Sequence, residues 1–161
     1  MIKVGDKLPE VSFRLVEDGK MVPKTTSDIF KGKRVVLVGV PGAFTPTCHK
    51  NHVPGFVQKA DEIRAKNVDA IAVTAVNDHW VMHNWSEASG GAGKKMLFLA
   101  DPTAEFAKAT GLEFDASAGL GGFRSRRYAM LVDDGVVKTL NVEPEAGKAE
   151  VSSADNLIKA L

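Results

Sequence analysis

Arg34-Val35-Val36-Leu37-Val38-Gly39-Val40 runs into Pro41-Gly42-Ala43-Phe44 and then Thr45-Pro46-Thr47-Cys48. The first seven residues are apolar and largely β-branched after Arg34, the pattern of a strand covered on both faces. Pro and Gly then force a tight turn. Thr45 suits a helix N-cap, and Pro46 suits the first helical position, where its missing N–H is not needed. A buried strand therefore passes through one turn into a helix that opens at Cys48. That helix is expected to reach about Lys66, bent or short of one hydrogen bond at Pro54.

The same reading extends outward. Val11 to Leu15 alternates apolar and polar residues, and Val68 to Ala75 and Met96 to Ala100 are apolar runs; all three read as strands. Asp78 to Glu87 and Ala104 to Thr110 read as helices, the second ended by Gly111. Leu112 to Arg126 is Gly-rich and irregular. Tyr128 to Val132 and Val136 to Leu140 form a predicted hairpin around Asp133-Asp134-Gly135, and Asp155 is the expected cap of a last short helix. Alternating elements with a closing hairpin give an α/β fold, a central mixed sheet flanked by helices.

The 161 residues, 44% hydrophobic and 25% charged, suit one globular domain spanning 1–161. Such a chain buries roughly 70% of its unfolded surface and needs no staples. Lys and Arg number 21 against 20 acidic residues, a formal charge of +1, which argues against a nucleic-acid partner. One cysteine excludes an internal disulfide. The charged start, Met1 to Lys7, lacks the apolar stretch of a signal peptide. Val35 to Val40 is far short of the ~20 residues that span a bilayer, so no membrane association is expected. A reducing, cytoplasmic setting is the expectation.

Cys48 is the candidate reactive group. At a helix start its sulfur meets free backbone N–H groups and the positive end of the helix dipole. Such placement can lower a thiol pKa from about 8.5 into the range ~3.5–7.5. At a pKa of 8.5 about 3% is thiolate at pH 7, so complete ionisation gains at most ~30-fold. Any larger acceleration has to come from groups that stabilise the transition state. The competing reading is a small buried hydrophobe.

Pro41-Gly42-Ala43-Phe44-Thr45-Pro46-Thr47-Cys48 matches Pro-x-x-x-Thr-x-x-Cys, and the chain here resembles the peroxiredoxins, in particular the type II, peroxiredoxin-5-like branch. VNDHWVMHNW at Val76 to Trp85, LADPTAEFAKATGL at Leu99 to Leu112 and RRYAMLVDDGVVKTLNVEP at Arg126 to Pro144 follow in the family's order. The resemblance implies a thioredoxin-like fold and thiol-dependent reduction of hydrogen peroxide and organic hydroperoxides. It makes Cys48 the peroxidatic cysteine, oxidised to a sulfenic acid. Thr45 becomes the residue that contacts peroxide and sulfur, and Pro41 the shield of the thiolate. Backbone N–H groups near Thr47 and Cys48 would hold the oxygens. Gly42 and Phe44 join Thr47 as expected substrate contacts. Arg127, immediately before the strand YAML, matches the family's catalytic arginine, and arginine suits the task through its permanent charge and rigid fork of donors. Arg124 is expected at the surface or an interface, and Arg126 fits either role. The Gly119–Phe123 loop is expected to deliver the arginines, with Leu120 and Phe123 at the pocket mouth. No metal or organic cofactor is required.

Many relatives carry a resolving cysteine after a stretch like NVEP, but Gly147 to Ser152 holds none. The sulfenic acid must then meet an outside thiol or Cys48 of another subunit. Glutathione with glutaredoxin is the leading reductant, thioredoxin the runner-up, and a homodimer is implied. The alternative is a redox sensor or binding module that signals through Cys48 oxidation. A thiol-disulfide oxidoreductase is disfavoured because Cys-x-x-Cys is absent.

Other signals weigh less. His79, His83 and Glu87 share a helical spacing that can bind metal, but a polar helix face is the commoner meaning. Trp80, Val81 and Trp85 read as packing or interface residues. His52, one turn after Cys48, reads first as a packed or capping histidine and second as a tuner of the cysteine. His49 is expected to be exposed. Gly90 to Lys95 fails as a phosphate loop because Ala88 stands where its first Gly must be and Lys95 where Ser or Thr must be. Gly119 to Phe123 lacks the strand-before, helix-after context of a dinucleotide site.

Overall fold

The computed structural model describes residues 1–161. In chain order it contains β1 (Ser12–Glu17), β2 (Lys20–Thr25), α1 (Thr26–Phe30) and β3 (Arg34–Gly39). The cysteine helix follows, with α2 (Val53–Gln58) and α3 (Ala60–Arg64) as its later turns, then β4 (Ala70–Ala75) and α4 (His79–Ala88). The rest is β5 (Leu97–Ala100), α5 (Glu105–Thr110), β6 (Glu113–Asp115), β7 (Phe123–Ser125), β8 (Tyr128–Asp133), β9 (Val136–Val142) and α6 (Ala154–Ile158). Seven strands form one sheet in the order β2-β1-β5-β4-β3-β8-β9, while β6 and β7 pair separately. β3 is parallel to β4 and antiparallel to β8, so the sheet is mixed.

Strand alternation divides the core in two. Val36, Val38 and Val40 face one side, where they meet Phe56, Ile63, Met82, Trp85 and Leu157 from α2, α3, α4 and α6. Val35 and Leu37 face the other, against Ile29 and Phe30 of α1 and Phe106 of α5. Burial on both faces explains why β3 needs an unbroken apolar run rather than an alternating one.

Three features depart from the sequence reading. β2 escapes it because Lys20, Pro23 and Lys24 look unlike a strand. As an edge strand β2 tolerates proline, and Asp18-Gly19, both at positive φ, supply the hairpin turn. Leu112 to Arg126 is not wholly irregular, since β6 and β7 pair within it. Ser153, not Asp155, caps α6 by accepting from the Asn156 N–H; Asp155 lies in the first turn. At Pro54 the bend takes the form of a π turn over Cys48–His52, in which the Val53 N–H reaches back five residues to the Cys48 carbonyl. Proline cannot donate to the carbonyl four residues back and crowds it, which the wider turn accommodates.

The pairing of Gly39 with Tyr128 sets the register that matters for the site. The Tyr128 ring lies over Gly39 so closely that a Cβ there would sit 2.1 Å from a ring carbon. The residue after Gly39 leads into Pro41, and the residue before Tyr128 is Arg127. One contact thus fixes the ends of both strands that feed the site. Gly39→Ala is expected to cost about 2–3 kcal/mol by overpacking. Gly93→Ala, with nothing within 4 Å, is expected to change stability by less than about 0.5 kcal/mol. Urea unfolding of the two variants checks the difference.

Candidate active site

Pro41 lies just past the end of β3 and is buried. The turn after it is held from two sides. The Asn77 side chain accepts from the Ala43 N–H at 2.9 Å, and the Thr45 hydroxyl donates to the Gly42 carbonyl at 2.7 Å. The His49 N–H donates to the Thr45 carbonyl, so Thr45 occupies the N-cap position although its hydroxyl is used within the turn. Thr47 and Cys48 fall in the first helical turn, where N–H groups have no acceptor four residues back. Cys48 itself is fully buried.

Arg127 enters from the start of β8 and is 2% exposed. Its guanidinium makes three directed contacts. One terminal nitrogen donates to Cys48 Sγ at 3.2 Å, the other meets His52 Nδ1 at 3.2 Å, and Nε donates to the Ala146 carbonyl at 2.9 Å. His52 Nε2 lies 2.9 Å from the Ser152 carbonyl. A carbonyl can only accept, so the proton is on Nε2 and Nδ1 is the acceptor for Arg127. Burial, and then the adjacent Arg127 charge, push the His52 pKa down to about 4. The imidazole is therefore neutral near pH 7, as that hydrogen-bond pattern requires.

The segment after β9 closes the arrangement. The Thr47 hydroxyl donates to the Gly147 carbonyl at 2.9 Å. Glu143 is buried and accepts from both the N–H and the hydroxyl of Ser152, at 2.7 and 2.6 Å. Burial opposes its charge, but the Ser152 hydroxyl and nearby backbone N–H groups outweigh it and hold the carboxyl below the usual range.

A cavity of about 370 Å³ opens beside Cys48, lined by Pro41, Thr45, Thr47, Phe114, Leu120 and Arg127 among others. Phe44 and Phe123 do not line it. Phe44 has φ +63° and turns outward toward the rings of His49 and Trp85. Phe123, on β7, is half-exposed and lies under the Lys108 ammonium. Gly42 is not a wall residue either; it is buried where a Cβ would meet Thr45, Arg124 and Leu120. Arg124 binds the loop instead of the sulfur, donating to the carbonyls of Leu120 at 3.0 Å and Pro41 at 3.4 Å. Arg126 Nε has no hydrogen-bond partner. His49 is half-buried rather than exposed, because the Trp85 indole N–H donates to its Nδ1 at 2.9 Å. Trp85 is in the core, while Trp80 is 49% exposed. No three His, Cys, Asp or Glu side chains converge in a metal-binding group.

Sequence reasoning gave His52 only by its spacing from Cys48, and it gave no role to Asn77, Glu143 or Ser152. VND and NVEP belong to motif stretches, but nothing in them says which backbone groups they hold.

The low His52 value has a consequence for stability. Between pH 6.5 and about 4 the unfolded chain binds a proton that the folded site excludes, so stability falls as pH falls through that window. Between pH 7 and 5 this site alone is expected to remove about 2 kcal/mol. His52→Gln, whose amide can accept and donate but does not titrate there, is expected to lose that part of the slope. Urea unfolding of both proteins at the two pH values checks it.

Comparison with known proteins agrees with the geometry. The Redoxin family profile matches residues 3–158. The chloroplastic peroxiredoxin-2E-2 of Oryza sativa subsp. japonica is 48% identical over 99% of this chain and 72% of its own. Peroxiredoxin-2B of Arabidopsis thaliana is 44% identical, with 99% and 98% covered. Among solved structures, reduced Prx3 of Vibrio vulnificus in complex with H2O2 superposes with a TM-score of 0.92 at 48% identity, covering 99% of this chain and 96% of that one. Peroxiredoxin 5 of Alvinella pompejana gives 0.85 at 35% identity, covering 99% and 97%. With this fold, this coverage and a single cysteine, the chain belongs to the peroxiredoxins, thiol-dependent peroxidases, as a type II member without a resolving cysteine.

Proposed function

We propose that Cys48 reduces hydrogen peroxide and organic hydroperoxides and is itself restored by an external thiol, glutathione with glutaredoxin. The observation that carries this reading is the hydrogen bond from the buried Arg127 guanidinium to Cys48 Sγ. A cation fixed at that sulfur stabilises negative charge on it before attack and on the departing oxygen during attack.

The thiolate attacks the terminal oxygen of the peroxide in line. A sulfur–oxygen bond forms as the oxygen–oxygen bond breaks, giving Cys48 sulfenic acid and an alkoxide or hydroxide that takes a proton from solvent. The sulfur loses two electrons and the peroxide gains them. Thr45 and Arg127 both border the cavity and Arg127 reaches the sulfur, so that both meet the peroxide, while Pro41 keeps bulk water off the sulfur. The N–H groups of Thr47 and Cys48 hold the oxygens. The cavity exceeds what hydrogen peroxide fills, and Phe114 and Leu120 on its wall suit an alkyl substituent. Vibrio vulnificus Prx3, a relative solved with H2O2, supports the smaller substrate.

The chain has no second cysteine, so the sulfenic acid condenses with glutathione, releasing water and forming a mixed disulfide for glutaredoxin to reduce. Thioredoxin is the competing reductant. The protein acts as a homodimer, a reading supported by Phe44 and Leu120, exposed on loops that border the site. The cytoplasm supplies the thiol pool this cycle needs.

Arg127→Ala is expected to slow Cys48 oxidation at least about tenfold. Arg124→Ala, which loosens a loop rather than the sulfur contact, is expected to have a smaller effect. Stopped-flow tryptophan fluorescence compares them, and equal rates would remove Arg127 from its role. Intact mass after oxidised protein meets glutathione should show one glutathione on Cys48. Turnover sustained by glutathione and glutaredoxin, against thioredoxin, then assigns the reductant, whereas a single oxidation without turnover would leave a sensor.

A further inference from the structure

We propose that Glu143 is a positioning residue for the Cys48 chemistry: it folds residues 144–151 back into a strap that, with Ser152 at its far end, supplies the carbonyls holding Arg127 and His52 in place. The inference rests on the reading of Cys48 as the peroxide-reactive thiol.

The strap has little else to hold it. Pro144, Glu145, Gly147, Lys148, Glu150 and Val151 are exposed, and Ala146 and Ala149 are only half-buried. Apolar burial therefore contributes little to its conformation. Its exposed ion pair, Lys148 with Glu145 at 3.6 Å, adds little more. Yet carbonyls in or just beyond this strap supply three inward contacts at 2.9 Å: Ala146 to Arg127, Gly147 to Thr47, and Ser152 to His52. Something must fix the strap at both ends.

Glu143 does so. At the near end its N–H donates to the Arg127 carbonyl at 2.9 Å. At the far end its carboxylate takes both the N–H and the hydroxyl of Ser152, nine positions along the chain, closing residues 144–151 into a loop. Glu143 is 3% exposed and Ser152 is fully buried, so water competes little for these bonds. Bonds to a charged acceptor at these lengths are also the stronger kind. Glu143 makes no ion pair with Arg127, so its hold on Arg127 runs through the backbone of the strap, while its charge acts directly, as the smallest of four influences, on His52.

Glu143→Gln keeps the shape but loses the charge, and Ser152→Ala keeps the backbone but loses the hydroxyl. Each is made in the wild-type and the Arg127→Ala backgrounds, with thermal melts to confirm folding. Oxidation of Cys48 by hydrogen peroxide is read by stopped flow, and alkylation by iodoacetamide is read against pH. In the wild-type background each change is expected to slow oxidation about tenfold and move the alkylation midpoint to higher pH. In the Arg127→Ala background the same changes should cost no more than about twofold, because the positioned group that touches the sulfur is gone. Equal losses in both backgrounds, or no loss in the wild type, would overturn the proposal. If Glu143→Gln does not fold, Ser152→Ala decides alone. If wild-type Cys48 oxidises no faster than a free thiol, the peroxidase reading fails, and the alkylation midpoints still decide the role of Glu143.

Discussion

The contact between Arg127 and Cys48 Sγ organises the rest of the molecule. A guanidinium out of water is costly unless its donors are matched. Here each arm of the fork has a different partner: a sulfur, an imidazole nitrogen and a backbone carbonyl. They come from two distant parts of the chain. The sulfur and imidazole lie one turn apart on the helix after β3, the arginine starts β8, and the carbonyl belongs to the segment after β9. The sheet is what makes these distant residues neighbours, since β8 pairs with β3 on one edge and β9 on the other.

The same burial sets an access problem. Cys48 has no exposed surface, yet the cavity beside it is lined by Thr45 and Arg127. A peroxide is small enough to use that route. A thiol reductant is larger and has to approach the sulfur itself, which requires the first helical turn, the Leu120 loop or the strap to move. The Leu120 loop and the strap have little apolar burial, and local opening is cheapest where few buried contacts are lost. The hydrogen bonds that align the site for oxidation are thus also those that reduction of the product has to disturb.

Much of this was legible in the sequence because the informative patterns are local. The apolar run, the turn and the Thr-Pro helix start at residues 45–46 gave β3 and placed Cys48 at the start of its helix. Arg127 was legible through the motif before YAML, and the structure brings it, Thr45, Pro41 and Cys48 together. Phe44 and Phe123 lie off the cavity wall, since closeness along the chain says nothing about direction. A positive φ turns one outward, and pairing in β7 sets the other beneath Lys108. Edge strand β2 was hidden by Pro23 and two lysines, which a strand with a free edge tolerates. Glu143 and Ser152 were hidden for a deeper reason. They act through carbonyl groups of the strap, and a carbonyl carries no mark of the residue it belongs to.

The measurement that bears most directly on this account compares two reagents at Cys48 in the reduced protein. One equivalent of hydrogen peroxide and one of iodoacetamide are each followed by intact mass, beside a free thiol and with Cys48→Ser as the control. Ionisation alone accelerates both reagents alike, by at most ~30-fold at pH 7. A site built around Arg127 to stabilise the transition state predicts that peroxide gains far more than this and iodoacetamide does not. Equal, modest gains for both reagents would mean that the buried arginine merely accompanies a thiolate, and the account would be wrong.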